Sequence, residues 1–190
     1  MVNFKKHSKE IILLLIAILA FSILSLPLSA IDYDGFWNFH FIQKTYAGFI
    51  PYNDFNIIIP PLFHWIGAFL MNLIGNKFIL MSIYCGITIG ILFYLISKII
   101  NLNLKKLTHR VIALMLITCF LIQFCGNANY NILMVIFMMA VLYIEQKNNN
   151  NITLKHRVIE RSITWFACAF QAYYWICIFI CILSLPDYLK

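Results

Sequence analysis

The feature that most constrains the fold is an unbroken stretch, residues 11–31, without a single charged side chain. At a rise of about 1.5 Å per residue, an α-helix over this stretch is about 30 Å long, the thickness of the hydrocarbon core of a bilayer. The rest of the chain fits the same environment, because 63% of its 190 residues are hydrophobic and only 11% are charged. A water-soluble globule of this length needs more polar surface. The sequence therefore predicts an all-α integral membrane protein.

A cleaved signal peptide is the alternative interpretation of this first run. Lys5, Lys6 and Lys9 precede it, and Ala30 ends a loose cleavage motif. The apolar run is long for such a peptide, however, and Leu28 stands where a small residue is required. We therefore expect an uncleaved first span whose N-terminus faces the cytoplasm.

Five further uncharged runs alternate with polar stretches, at 57–75, 78–97, 111–127, 130–144 and 162–186. Eleven of the 14 basic residues form three clusters, which are Lys5, Lys6, Lys9; Lys98, Lys105, Lys106, Arg110; and Lys147, Lys155, Arg157, Arg161. Basic residues beside spans mark cytoplasmic loops, so an even number of crossings must separate each pair of clusters. Six crossings violate this condition, and one run between the first two clusters must lie at the interface or re-enter.

The run at 57–75 is the best candidate for an interfacial segment. Pro60 and Pro61 interrupt the backbone near its start, and His64 and Trp65 suit interfacial depth. We therefore predict one membrane domain, 1–190, with five spans at 11–31, 78–97, 111–127, 130–144 and 162–186. An outer loop with interfacial helices is expected at 32–76, and cytoplasmic loops at 98–110 and 145–161.

The outer loop opens with a sequence that mixes carboxylates and aromatic side chains, Asp32-Tyr33-Asp34-Gly35-Phe36-Trp37-Asn38. We expect a short interfacial helix at 36–47 with Asp34 as its N-cap. A carboxylate at this depth is able to take a proton from a hydroxyl group as a sugar leaves a lipid phosphate. The alternative is a structural role, in which the aspartates cap the helix and the aromatic side chains form an interfacial belt.

Two more motifs follow the acidic one in order, and they are Gly48-Phe49-Ile50-Pro51-Tyr52-Asn53-Asp54 and Pro60-Pro61-Leu62-Phe63-His64-Trp65. Together the three motifs resemble the first outer loop of GT-C type membrane glycosyltransferases, a family that includes mannosyltransferases and aminoarabinose transferases. Such enzymes take sugars from polyprenyl-phosphate carriers and transfer them to cell-envelope glycans, lipids or proteins. The resemblance covers about residues 11–97, the N-terminal portion of such an enzyme, and leaves room for a missing C-terminal half or a partner subunit.

The resemblance implies that Asp34 is the catalytic base. Asp54 is a candidate for donor or acceptor binding, and Asp32, His64 and Lys44 are further candidates for substrate binding. Gly35 stands where the family motif carries a glutamate, a departure that removes one carboxylate and leaves open whether a divalent metal takes part. The implied partners are a lipid-linked sugar and membrane lipid.

Two other classes of function stay open. A transporter or flippase subunit normally shows ionisable residues within its spans, and the predicted segments contain only His64. A non-catalytic assembly partner, or remnant, keeps the loop fold without activity. The net charge of +7 follows the pattern of cytoplasmic loops and requires no nucleic acid. The bias towards Ile, Asn and Lys suggests an AT-rich bacterial genome, and we expect the plasma membrane of a bacterium.

Overall fold

The structure is a computed structural model that describes residues 4–29, 33–57, 59, 61–126 and 128–148. Six α-helices form most of this part and no β-strand occurs in it: α1 Phe4–Ser29, α2 Tyr33–Tyr46, α3 Leu62–Ile74, α4 Ile79–Asn103, α5 Leu107–Ile122 and α6 Tyr130–Asn148. The predicted all-α class is confirmed for the described residues.

Three helices are long and apolar enough to cross a membrane, at Ser8–Leu28, Ile79–Asn103 and Tyr130–Lys147. They match the first, second and fourth predicted spans, which supports a membrane protein. Helix α5, at the third predicted span, has 16 residues and is about 24 Å long, and α3 has 13 residues and is about 20 Å long. Both are shorter than the hydrocarbon core. The fifth predicted span, 162–186, lies outside the described residues.

Helices α1 and α4 pack against each other in antiparallel orientation, through two small residues one turn apart on α4. Gly86 lies against Ser22, and Gly90 lies against Ile18. A Cβ atom added to Gly90 would stand 2.8 Å from both N and Cα of Ile18, which leaves no room for any side chain. Small residues at i and i+4 let two helix backbones approach closely in this way.

The charged end of this helix pair is defined by an ion pair between Glu10 of α1 and Lys98 of α4. At the same end, the Asn103 side chain of α4 donates a hydrogen bond of 2.6 Å to Gln146 of α6. The start of α1 and the ends of α4 and α6 therefore lie together. The basic clusters begin at this common end, in agreement with the charge pattern of the sequence.

The opposite end of the bundle holds α2, α3 and the link between α5 and α6. The ring of Phe63 on α3 stacks on Tyr84 of α4 at 4.7 Å, and the Tyr84 hydroxyl donates a 3.0 Å hydrogen bond to the Phe63 carbonyl. Tyr130, the first residue of α6, makes an edge contact with Phe63 at 6.5 Å. These buried contacts fix α3 beside the first half of α4, far from Lys98.

Several predicted boundaries require correction. Helix α2 begins at Tyr33, three residues early, so Asp34 lies in its first turn and the predicted N-cap role is wrong. Gly35, which the prediction placed before the helix, is buried in the packing face of α2. Helix α4 continues past the predicted end at residue 97, because Lys98 is paired with Glu10 between two helices instead of lying in a loop.

Candidate functional site

Helix α2 is positioned by one buried face at helical spacing, formed by Gly35, Asn38, Phe41 and Ile42. Ile42 fills the space beside Gly67 of α3, where an added Cβ would stand 2.5 Å from the Ile42 Cδ1 atom. The rings of Phe36 and Phe39 contact Phe78, immediately before α4, at 4.4 and 5.3 Å. The helix is thereby docked on α3 and on the start of α4.

The proposed base, Asp34, is exposed in the first turn of α2. A carboxylate at this position is favoured electrostatically by the positive end of the helix dipole. Its neighbours Tyr33 and Trp37 are also exposed, at 90% and 41%. Asp32, the other acidic residue of the motif, lies outside the described residues.

Lys44, in the last turn of α2, lies over two aromatic rings. Its Nζ atom is 5.8 Å from the centre of the Phe41 ring and 5.4 Å from that of Phe55. The two rings are themselves stacked, with centres 5.4 Å apart and planes 14° from parallel. Aromatic faces attract a cation, so Lys44 is held over these two rings beside the outer loop.

His64 does not reach the surface. Its side chain is fully buried, with the rings of Phe41 and Phe63 at 5.8 and 5.5 Å. Neither ring nitrogen has a hydrogen-bond partner within the described residues, and burial lowers the pKa of His64 to about 4. A neutral, enclosed imidazole favours a packing role over the predicted contact with substrate.

The carboxylate of Asp54 stabilises the loop that follows α2. One oxygen accepts a 2.7 Å hydrogen bond from the Ile50 amide, and the other accepts one of 2.7 Å from the Asn53 side chain. Tyr52 within this turn has a φ of 69°, a left-handed conformation that non-glycine residues seldom adopt. Its hydroxyl donates a 2.9 Å hydrogen bond to the Ile59 carbonyl. Asp54 therefore holds the loop in shape and is itself exposed.

The structure brings together only some of the predicted residues. Lys44, His64 and the loop of Asp54 meet around Phe41 and Phe55, at the C-terminal half of α2. Asp34 lies ten residues before Lys44 on α2, which corresponds to about 15 Å along the helix axis at 1.5 Å per residue.

Sequence reasoning missed three aromatic residues of this region, Trp37, Phe41 and Phe55. A usable signal existed for two of them. Trp37 and Phe41 follow Asp34 at helical spacing, and Lys44 continues the same row. The role of Phe55 depends on how the loop folds back, for which the sequence offers no periodic signal.

No group of three metal-ligating side chains occurs within the described part of the chain. Comparison with known proteins gave one result: no family model, curated protein or solved structure matches this chain.

Proposed function

We propose that this chain is a GT-C type membrane glycosyltransferase, which moves a sugar from a polyprenyl-phosphate carrier to a cell-envelope glycan, lipid or protein. The observation that carries the proposal is the position of Asp34. Asp34 is an exposed carboxylate in the first turn of α2. Only residues 30–32 separate this helix from α1, which contains a candidate membrane span. A lipid-linked sugar keeps its tail in hydrocarbon and its phosphate in water, so an enzyme that acts on it needs reactive groups at this depth.

The proposed reaction assigns one step to Asp34. Its carboxylate takes the proton of the acceptor hydroxyl, and the hydroxyl oxygen forms a bond to the anomeric carbon of the sugar. The bond between that carbon and the phosphate oxygen breaks, and the electron pair leaves with the lipid phosphate. Lys44 is the cation proposed to stabilise the leaving phosphate.

The proposed topology has five spans in a bacterial plasma membrane, with the N-terminus in the cytoplasm and Asp34 outside. The ion pair between Glu10 and Lys98 supports it, because it joins the first two basic clusters at one end of the bundle. Helix α3 supports it too, being short and exposing Trp65, Phe69 and Leu73 along one face at helical spacing. Such an apolar face suits a helix that lies in the membrane interface.

A non-catalytic assembly partner is the second candidate, favoured by the outward face of α5. Ile112, Met115, Leu116 and Phe120 are each more than half exposed there. This face belongs to a helix of only 16 residues, which suits burial against a helix of another subunit better than independent contact with lipid.

The deciding experiment measures transfer of radiolabelled sugar from polyprenyl-phosphate donors by membranes that contain the chain. Asp34→Asn, at matched abundance, is expected to lower transfer by at least about 100-fold, the usual contribution of a general base. His40→Asn is the matched control, because His40 is also exposed on α2 but has no assigned role. Full transfer by Asp34→Asn would refute Asp34 as the base. No transfer by the unmodified chain would favour the assembly partner.

A further inference from the structure

Four side chains form one row along α2, and we call them the α2 stripe: Asp34, Trp37, Phe41 and Lys44. Their spacing of three, four and three residues places them on one side of the helix. The rings of Trp37 and Phe41 are in edge contact, with centres 4.7 Å apart and planes at 88°. Lys44 lies over the Phe41 ring in turn. The stripe therefore runs from a carboxylate through two aromatic rings to a cation.

The distance between the two charged groups of the α2 stripe depends on the direction in which their side chains point. Side chains on a helix point back towards its N-terminus, and Lys44 follows this rule because its Nζ atom lies over Phe41, one turn earlier. Asp34 points in the same direction with a shorter side chain, so the axial separation between its carboxylate and this cation lies between the rise of seven and of ten helical residues, about 10 to 15 Å.

Sugar transfer from a phosphate requires a similar separation between base and cation. The carboxylate lies one hydrogen bond from the acceptor oxygen, which lies about 3 Å from the anomeric carbon. The phosphate follows that carbon, and a cation that pairs with it stands about 2.8 Å beyond its oxygen. With the span of the phosphate group included, these distances amount to about 12 Å, so the two ends of the stripe are able to serve one substrate at once.

Trp37 occupies the middle of this distance. Its side chain is 41% exposed, so a ligand has access to it, while the edge contact with Phe41 limits its rotation. One face of a pyranose ring presents only C–H groups, which pack well against an indole. Tyr33, 90% exposed one turn earlier, adds a second aromatic surface on the same side.

We propose that the α2 stripe binds the head group of the lipid-linked sugar, with Trp37 stacked against the sugar ring and Lys44 paired with the phosphate. This inference rests on the proposed function and adds the residue that recognises the sugar. The occupant is a pyranosyl phosphate on a lipid tail. The aromatic ring of the stripe suits the sugar ring, and the cation suits the phosphate. A lipid phosphate without a sugar would contact only the cation.

Two residues of the same region provide matched controls. Trp65 is exposed to a similar degree, 48%, but lies on α3 outside the stripe. Lys77 is an exposed cation close to the end of α2, because the Gln43 side chain donates a 2.7 Å hydrogen bond to Asn76. Trp65→Leu and Lys77→Gln therefore repeat the chemical changes of Trp37→Leu and Lys44→Gln without touching the stripe.

The test measures binding by the full chain in detergent, with farnesyl phosphate and with farnesyl phosphates that carry glucose or mannose. We expect tighter binding of a sugar-bearing probe than of farnesyl phosphate. Trp37→Leu should remove that preference, with about a tenfold loss for the sugar-bearing probe and no change for farnesyl phosphate. Lys44→Gln should weaken the binding of all three probes, and the two control variants should bind all three as the unmodified chain does.

Two results of the binding measurement would overturn the inference. One is equal binding of all three probes by the unmodified chain, and the other is a Trp37→Leu variant that keeps the preference for sugar. In either case, transfer that depends on Asp34 would leave the proposed function intact, so the two failures are distinguishable. A single-tryptophan form, with Trp65, Trp165 and Trp175 changed to Phe, provides an independent readout. Quenching of Trp37 fluorescence by the sugar-bearing probes alone would support the stacking, and quenching by none of the probes would refute it.

Discussion

The contact between α1 and α4 yields the sharpest prediction, through the substitution Gly86→Ala. The added Cβ would stand 2.5 Å from N and 2.6 Å from Cα of Ser22, about 1 Å closer than apolar atoms normally approach. These are backbone atoms of a helix, so no side-chain rotation relieves the clash. The helices must separate by about 1 Å, which forfeits up to half of the dispersion energy of atoms across the contact. We expect a loss of about 2 kcal/mol in the free energy of unfolding, within the range of overpacked cores.

Reversible unfolding in mixed micelles of dodecyl maltoside and SDS, followed by circular dichroism, measures this loss as a lower SDS fraction at the midpoint. Gly126→Ala is the matched control, because its added Cβ would lie 3.8 Å from the Leu28 Cβ, an ordinary contact distance. We expect a change below about 0.5 kcal/mol for the control. A Gly86→Ala protein that unfolds at the unmodified midpoint would show that α1 and α4 do not pack as described.

Three further predictions concern polar contacts. The folded-state pKa of His64, about 4, lies below the usual 6.5, so the unfolded state binds more protons between these values. The contribution of His64 to the free energy of unfolding is therefore complete above pH 6.5 and falls by about 3 kcal/mol on acidification to pH 4. Unfolding titrations of His64→Phe should no longer show this pH dependence. A double-mutant cycle with Glu10→Gln and Lys98→Met should show a coupling energy of about 1 kcal/mol, and additive effects would refute the ion pair. Asp54→Ala should speed hydrogen exchange of the Ile50 amide about tenfold, and unchanged exchange would contradict the hydrogen bond between them.

The sequence was sufficient for features that depend on local composition. Long charge-free runs predicted the long apolar helices α1, α4 and α6, and the paired prolines before Leu62 predicted an interruption there, where α3 is a helix of only 13 residues. The charge clusters agreed with the common end marked by Glu10 and Lys98. Each of these inferences requires only hydrophobicity and the positions of charges, which a single sequence displays directly.

The sequence was insufficient where contacts between distant segments decide the outcome. The burial of His64 results from the docking of α2 on α3, and the charged neighbourhood of Lys98 results from the register that Gly86 and Gly90 impose on α1. The contact between Lys44 and the ring of Phe55 depends on the left-handed backbone of Tyr52, a conformation that tyrosine does not favour. Such contacts have no signature in spacing or composition, and the candidate site was therefore predicted only in part.

Only residues 30–32 separate α1 from α2, so the depth of Asp34 in the membrane depends on the thickness of the bilayer. The apolar part of α1 has 21 residues and is about 31 Å long, close to the hydrocarbon thickness of an average membrane. Lipids with longer acyl chains would draw the carboxylate towards the hydrocarbon, and lipids with shorter chains would lift it into water, at a cost of fractions of a kcal/mol per ångström. Lipid chain length therefore becomes a physical control on how far the first turn of α2 stands from the hydrocarbon.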